Sequence, residues 1–382
     1  MPPVPYTRHQ ISEGDITSLV DVLRRGDLTQ GPAVAEFEDK MAAYVGAKHA
    51  IAVNSGTAAL HIAYLAAGMG PGSLTWTTPN TFVATANAAR LCGAQVDFVD
   101  IDPDTFNISL IELERRLSEQ KSASGPMPDF VVPVHFGGLP VDMDRLHELS
   151  AQYGFQVIED AAHALGAEVD SAKVGACPAS AVTIFSTHPA KIITTGEGGL
   201  CTTNSDDLAS KLRTLRSHGV TRGDGTGPRP WEYQQHALGL NYRLPDINAS
   251  LGISQLARIG KFLETRAKIA DRYRKELQID GVRHQSHLKN ARSANHLYVI
   301  RIANQKRDKI FFRLKEADIH CQIHYIPVHT QPYYLAAGHS SGPFPEAEKY
   351  YEEAISLPMF PDLTEEEQGR VIRTIIEGLE KP

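Results

Sequence analysis

Apolar and polar positions along the chain follow two periods, and they alternate. Residues 12–25 and 33–45 have the pattern of amphipathic helices, the first opened by Ser12 and the second closed by Gly46. Between them GDLTQGP, residues 26–32, is a loop. HAIAVN at 49–54 is a short apolar strand, and SGTAALHIAYLAAG at 55–68 is a helix entered through a small-residue turn. TPNTFVATANAARLCG at 78–93 continues as a helix, with Pro79 near its start. QVDFVDID at 95–102 and DFVVPVHF at 129–136 read as strands, and ISLIELERRLSEQ between them has helical period. MDRLHELSAQYG predicts a helix ending at Gly154, followed by strands in FQVIEDAAHA, AVTIFS and GLCTTN.

This alternation predicts an α/β fold, a mostly parallel sheet with helices on both faces. Ligands of such sheets bind at the carboxyl ends of the strands, where Asn54, His135, Asp160 and Ser186 fall. The order weakens after about residue 205. Residues 246–278 read as one long helix, and the remainder mixes helices with strands such as HLYVIRI. A large domain over 1–245 and a smaller C-terminal α+β domain over 246–382 follow. RGDGTGPRPW at 222–231 reads as a flexible or lid-like loop.

Composition narrows the function classes. A net charge of −7 with no long basic run argues against nucleic-acid binding. The four cysteines, at 92, 177, 201 and 321, form no CxxC pair, which speaks against a zinc site and fits a reducing compartment. MPPVPYTRHQ lacks the apolar core of a signal peptide, and no apolar run reaches the length of a membrane span. A cytoplasmic protein, off the membrane, is expected.

The chemistry concentrates around Lys191. The strand AVTIFS stops at Ser186, and a loop punctuated by Pro and Gly carries one lysine between apolar and hydroxyl residues. Against apolar walls an ammonium loses hydration, and the amine becomes a usable nucleophile. Ser55-Gly56-Thr57 joins a strand to a helix, a place where backbone N–H groups favour an anion. Asp160 ends an apolar strand; a buried carboxylate there needs a cationic or donor partner, such as a protonated ring nitrogen, or else caps a helix. Glu159 points to the opposite face, and His163 supports Asp160, lies against a bound ring or serves only structure. Phe82 can stack on a flat ring or pack in the core. Asn241 and Arg243 suit phosphate. His324 and His329 are five apart with Pro327 between, which favours substrate contact over metal.

AVNSGTAALH, TPNTFVATANA, VIEDAAHALG, FSTHPAKIITTGEGG, LGLNYRLPDINASLGISQL and HYIPVH occur in this order. Together they resemble the DegT/DnrJ/EryC/StrS sugar aminotransferases, from YTRHQI to the last helix. The resemblance implies a pyridoxal 5′-phosphate (PLP/PMP) enzyme of the aspartate-aminotransferase fold, fold type I. It implies that Lys191 carries the cofactor, Asp160 pairs with its ring nitrogen and Phe82 stacks on the ring. Gly56, Thr57 and Ser186 would hold the phosphate, and Asn241 would reach the cofactor of a neighbouring subunit. Tyr6, Asp27, Thr29, Arg243 and the segment with His324, Tyr325 and His329 would contact a nucleotide sugar. LTQGP, SHGVTR, PWEYQQHALGLNYR and HYIPVHTQPYY are similar to the pseudaminic-acid branch. That branch implies a homodimer with shared sites, glutamate as donor and a UDP-linked 4-keto-6-deoxy-N-acetylhexosamine as acceptor. A related branch that dehydrates sugars has histidine where Lys191 stands.

Overall fold

The computed structural model describes residues 2–222, 229, 231–303, 306–338 and 342–380. Most of the segment read as a lid, 223–228 and 230, lies outside them. Nine strands precede residue 205 among the described residues: β1 (His49–Val53), β2 (Leu74–Thr77), β3 (Gln95–Phe98), β4 (Phe130–Val132), β5 (Gln156–Asp160), a minor hairpin β6 (Glu168–Val169) and β7 (Ala172–Lys173), β8 (Val182–Ser186) and β9 (Gly199–Thr203). Seven of them form the central sheet in the order β1-β9-β8-β5-β4-β2-β3. β9 runs antiparallel to β1 and β8, and the other neighbours pair in parallel. The mostly parallel sheet read from the sequence is present, with this one reversal. Antiparallel neighbours need no crossover helix, so residues 187–198 can join β8 to β9 as a loop across the sheet's edge. That loop carries Lys191.

Both faces of the sheet are covered. The helices are α1 (Glu13–Arg25), α2 (Pro32–Val45), α3 (Gly56–Ala66), α4 (Ala84–Leu91), α5 (Leu110–Ser122), α6 (Met143–Tyr153), α7 (Asp206–Arg216), α8 (Asp246–Leu256) and α9 (Ile259–Glu276). In β1, Ile51 and Val53 enter the core beneath α3, while Ala50 and Ala52 enter the core beneath α2 and α8. Such alternation with every position apolar marks a strand buried on both sides. At the other end of the sheet, Trp76, Val131 and Val157 pack against α5 and α6 through Leu113, Leu117, Leu146 and Leu149.

Several elements are shorter than the sequence suggests, each for a local reason. The helix expected from residue 78 begins only at Ala84. The side chains before it are engaged otherwise: Thr78 Oγ1 accepts the Asn80 N–H at 3.3 Å, a local bond, and Asn80 Nδ2 reaches the distant Phe106 carbonyl at 3.2 Å. Phe82 therefore sits in a turn, not on a helix. The strand expected over 129–136 ends at Val132, because Pro133 has no N–H to donate. A single bridge from Val134 to Asp160 continues it. The strand expected over 155–164 ends at Asp160, and turns rather than a helix follow. The long helix expected over 246–278 is two, with Ala257 and Arg258 between α8 and α9. Arg258 there reaches back to the Gln10 side chain at 3.3 Å and forms an ion pair with Asp15.

The rest of the chain holds an exposed antiparallel pair, β10 (Val220–Arg222) and β11 (Tyr233–Gln235), and a second sheet. That sheet is antiparallel, in the order β12 (Val282–His284), β14 (Tyr298–Ile302), β15 (Ala354–Leu357), while β13 (Ala291–Arg292) joins the minor hairpin. Ile269 and Tyr273 of α9 pack on it with Ile300, Ile355 and Leu357, and the C-terminal helix Glu365–Glu380 adds Ile372 and Ile375.

Asp246 ties the loop before α2 to α8. Its carboxylate is buried and accepts the N–H groups of Gly31 at 2.7 Å and Ala33 at 2.9 Å, while its own N–H donates to the Leu28 carbonyl at 3.0 Å. Gly31, the N-cap of α2, has no side chain to do this itself. Asp246→Ala should cost about 2 kcal/mol of unfolding free energy in urea denaturation, and Asp246→Asn less, because one acceptor oxygen remains. An Ala variant as stable as the parent would show that these bonds do not hold the loop.

Candidate active site

The carboxyl ends of β5 and β8 open into a cavity of about 440 Å³. Its walls come from distant parts of the chain: Tyr6, the Ser55–Thr57 turn, Thr81–Thr85, Asp160–His163, Ser186–Lys191 and the His324–Tyr325 pair.

Lys191 reaches the cavity from the β8–β9 loop. The loop is cinched by Thr187 and Thr195, whose hydroxyls are 2.6 Å apart and whose backbones bond at 3.0 Å. Within it the Lys191 N–H donates to the His188 carbonyl at 2.8 Å, a turn that lets the side chain leave the loop on the cavity side. Burial pushes the lysine down to about 8, although the Asp160 charge raises it.

Asp160 is only 4% exposed. Its Oδ2 accepts the Thr85 hydroxyl at 2.7 Å, and its Oδ1 accepts the Ala162 N–H at 3.1 Å. Burial raises its pKa, and the bonds from Thr85 and Ala162 and the charge of Lys191 offset only part of that rise. The neighbouring Glu159 does face the other way, where it accepts from His135 at 2.8 Å and from Thr183 at 3.0 Å. Burial alone would raise Glu159 too, but the hydrogen bond and charge of His135 bring it below the usual carboxylate range.

The anion-favouring end of α3 borders the same space. Ser55 caps the helix by accepting the Ala58 N–H at 3.0 Å, which leaves the Gly56 and Thr57 amides beside the cavity. Position 56 requires glycine on space alone: a Cβ there would lie 2.9 Å from Ser186 Cβ. The missing side chain brings the α3 turn and the Ser186 hydroxyl to one spot.

Aromatic and imidazole rings form a further part of the wall. Phe82 stands at the rim, 58% exposed, its ring 6.0 Å from that of Tyr325. His163 accepts the Gly137 N–H at Nδ1 at 3.3 Å, and its Nε2 lies 3.1 Å from the Tyr325 hydroxyl. It therefore backs Tyr325, not Asp160. His324 bonds Ser356 at 2.8 Å and lies 5.4 Å, ring to ring, from Tyr6. Burial first, then the Lys191 charge, disfavours the charged form of His163 and His296, and brings His324 to about 4. The imidazoles are thus neutral at pH 7.

Ten of the residues singled out from the sequence line this cavity, namely Tyr6, Gly56, Thr57, Phe82, Asp160, His163, Ser186, Lys191, His324 and Tyr325. Asn241 and Arg243 do not line it. Their strip pairs with the end of β1, where the Asn54 N–H donates to the Tyr242 carbonyl at 2.9 Å and Val53 bridges Arg243. Asp27 and Thr29 are exposed on the loop before α2. His329 is buried elsewhere. Its Nε2 meets Glu348 at 3.0 Å and its ring packs 4.7 Å from Phe344. Packing accounts for His329, and the expectation of substrate contact has no support within this chain. Sequence reasoning missed Thr81, Thr85, His188, Glu197 and His296, all in the lining. The spacing of Thr81 and Thr85 was visible, but nothing local showed that Thr85 meets Asp160, 75 residues away. His296 comes from the edge of the second sheet and carried no local signal. Among the described residues, no group of three or more His, Cys, Asp and Glu is placed to hold a metal ion, and no helix is long and apolar enough to cross a membrane.

Known proteins resemble this chain in sequence and fold. A transaminase of Campylobacter jejuni named for UDP-4-amino-4,6-dideoxy-N-acetyl-β-L-altrosamine is 36% identical over 382 residues, covering 99% of this chain and 98% of its own. Helicobacter pylori PseC, an aminotransferase of pseudaminic-acid biosynthesis, superimposes with a TM-score of 0.91 at 29% identity, over 99% of this chain and all of its own. Spr1654 of Streptococcus pneumoniae, solved in PMP and PLP forms, superimposes with TM-scores of 0.90 and 0.89 at 28% identity, over 99% of both chains. The sequence pattern of one family spans residues 9–376. With that match along nearly its whole length, and with the fold of solved sugar aminotransferases, the chain belongs to the DegT/DnrJ/EryC1/StrS aminotransferase family.

Proposed function

We propose that this protein is a pyridoxal-phosphate aminotransferase that moves an amino group from glutamate to the 4-keto carbon of a UDP-linked 4-keto-6-deoxy-N-acetylhexosamine. One observation carries the reading: a half-buried amine, a buried carboxylate and the N-terminus of a helix face one cavity. The residues present fit the cofactor. The space left by the absent Gly56 side chain, beside Ser186 and the α3 amides, suits a phosphate. Asp160 suits a protonated ring nitrogen, Phe82 suits a stacked ring, and the Lys191 amine suits an aldehyde. The C. jejuni relative and PseC support the sugar nucleotide, and the forms of Spr1654 support the cofactor.

Pyridoxal phosphate supplies an aldehyde carbon that accepts the amine and a ring that stores the electrons of a broken C–H bond. The chain supplies the rest. Lys191, with its proton affinity lowered, would be a nucleophile at neutral pH and afterwards a base that moves one proton between the carbon bearing the transferred amine and the cofactor's exocyclic carbon. Asp160, ionised, keeps the ring nitrogen charged. His163 orients Tyr325 toward the substrate side. Tyr6, His324 and Tyr325 contact the sugar, and Asp27, Thr29 and Arg243 contact its nucleotide. Asn241 reaches the phosphate site of a second subunit, so the active unit is a homodimer. The diphosphate works as a remote handle, and its binding places the keto carbon beside Lys191.

Two measurements check this reading. The free amine of Lys191 should appear as pH rises through about 8, about 2 to 3 units below an ordinary lysine. Below that pH the ammonium persists, and above it the amine is present while exposed lysines are still charged. Uptake of pyridoxal phosphate by the apoprotein, followed by absorbance across pH, reads this directly. Asp160→Asn should move the midpoint lower still, because the carboxylate supports the ammonium. A midpoint near the ordinary lysine value would contradict the burial argument.

The second measurement is of substrate class. With a panel of nucleotide ketosugars and glutamate, the UDP-linked sugar should be aminated and the free sugar should react far more slowly. Arg243→Ala should weaken the sugar half-reaction about 10-fold or more, the loss of a charged hydrogen bond, and spare the glutamate half-reaction. Equal loss in both halves would assign Arg243 to the cofactor or the fold. A preference for plain keto acids would overturn the substrate.

A further inference from the structure

We propose that Thr85 is a positioning residue for the cofactor's ring nitrogen, acting through Asp160. The inference rests on the reading above that Asp160 faces that nitrogen. Thr85 is 2% exposed, and its Oγ1 has two close partners, Asp160 Oδ2 at 2.7 Å and Thr81 Oγ1 at 2.8 Å. A third contact, to the Phe82 carbonyl, is longer at 3.3 Å. A hydroxyl has one proton to give, and an ionised carboxylate can only accept. The Thr85 proton therefore goes to Asp160, and the Thr81 hydroxyl donates to Thr85. The two threonines form a short relay that ends on the carboxylate, each bond strengthening the next.

The relay also fixes rotation. With Thr85 on Oδ2 and the Ala162 N–H on Oδ1, each Asp160 oxygen has one donor from the chain. The remaining lone pairs are left for the cavity. Thr85 itself cannot drift, because the buried Tyr64 hydroxyl of α3 donates to its carbonyl at 3.1 Å. Valine has nearly the shape of threonine but no proton to give. In a site where burial favours the protonated acid, the loss of this donor leaves a carboxyl group less able to hold a charged ring nitrogen.

The test uses the full-length apoprotein and two ligands, pyridoxal 5′-phosphate and its 1-deaza analogue, in which carbon replaces the ring nitrogen. Dissociation constants are read by fluorescence. Thr85→Val should weaken binding of the natural cofactor about 10-fold or more, and change binding of the analogue less than about 2-fold. Thr85→Ser should restore the parent affinity. Thr81→Val, which removes only the outer link, should shift the natural cofactor in the same direction by less, and it stands in if Thr85→Val does not fold. Equal loss for both ligands would make Thr85 a packing residue and overturn the proposal, as would no loss. Asp160→Asn separates the two levels. If it discriminates between the ligands while the threonine variants do not, only the role of Thr85 falls. If it does not discriminate either, the placement of Asp160 falls with it.

Discussion

Lys191 and Asp160 face one cavity, and the charge of each supports that of the other. Burial acts on both against ionisation, raising the acid and lowering the base, and each partner's charge opposes that effect. Neither group would keep a useful charge alone in a low-dielectric pocket, and a fully satisfied pair would be inert. The balance here leaves the amine poised near neutrality. The rest of the site is arranged around it. The histidines at 163, 296 and 324 are all kept neutral, so none competes with Lys191 for the carboxylate. The thiols are buried and pushed up, so none competes as a nucleophile.

The fold supplies that pair by topology. Asp160 ends a parallel strand at the centre of the sheet, where the next residues turn away and leave the carboxylate behind. Lys191 follows the neighbouring strand. The reversal of β9 makes its segment a short loop, cinched by Thr187 and Thr195, in place of a helix lying across the face. β1, beyond β9 in the sheet, carries Ser55 and Gly56 to the same edge. Three chain segments far apart in sequence thus meet because β5, β8 and β1 run the same way and end at one edge of the sheet.

Much of this was legible before any coordinates. The strand ends at Asp160 and Ser186, the Ser55–Thr57 turn and the lysine loop follow from hydrophobic runs and punctuation, which are local. The parts that were not legible depend on tertiary pairing. The antiparallel course of β9 has no signature in GLCTTN. The late start of α4 accompanies a side-chain bond from Asn80 to the distant Phe106 carbonyl, and the bond from Thr85 to Asp160 joins residues 75 apart. His329 looked like part of a histidine pair at the site, but a proline between the two sends it into the Phe98–Phe344 packing instead. His296 arrives from the second sheet, and no pattern of its own segment pointed to the cavity.

Everything proposed for this site turns on Lys191 as the covalent anchor of the cofactor. Borohydride reduction of the holoprotein, followed by proteolysis and mass spectrometry, tests it most directly. The account predicts the pyridoxyl phosphate mass on the peptide containing Lys191 and on no other. A label on a different lysine, or none on a protein that binds the cofactor, would contradict it.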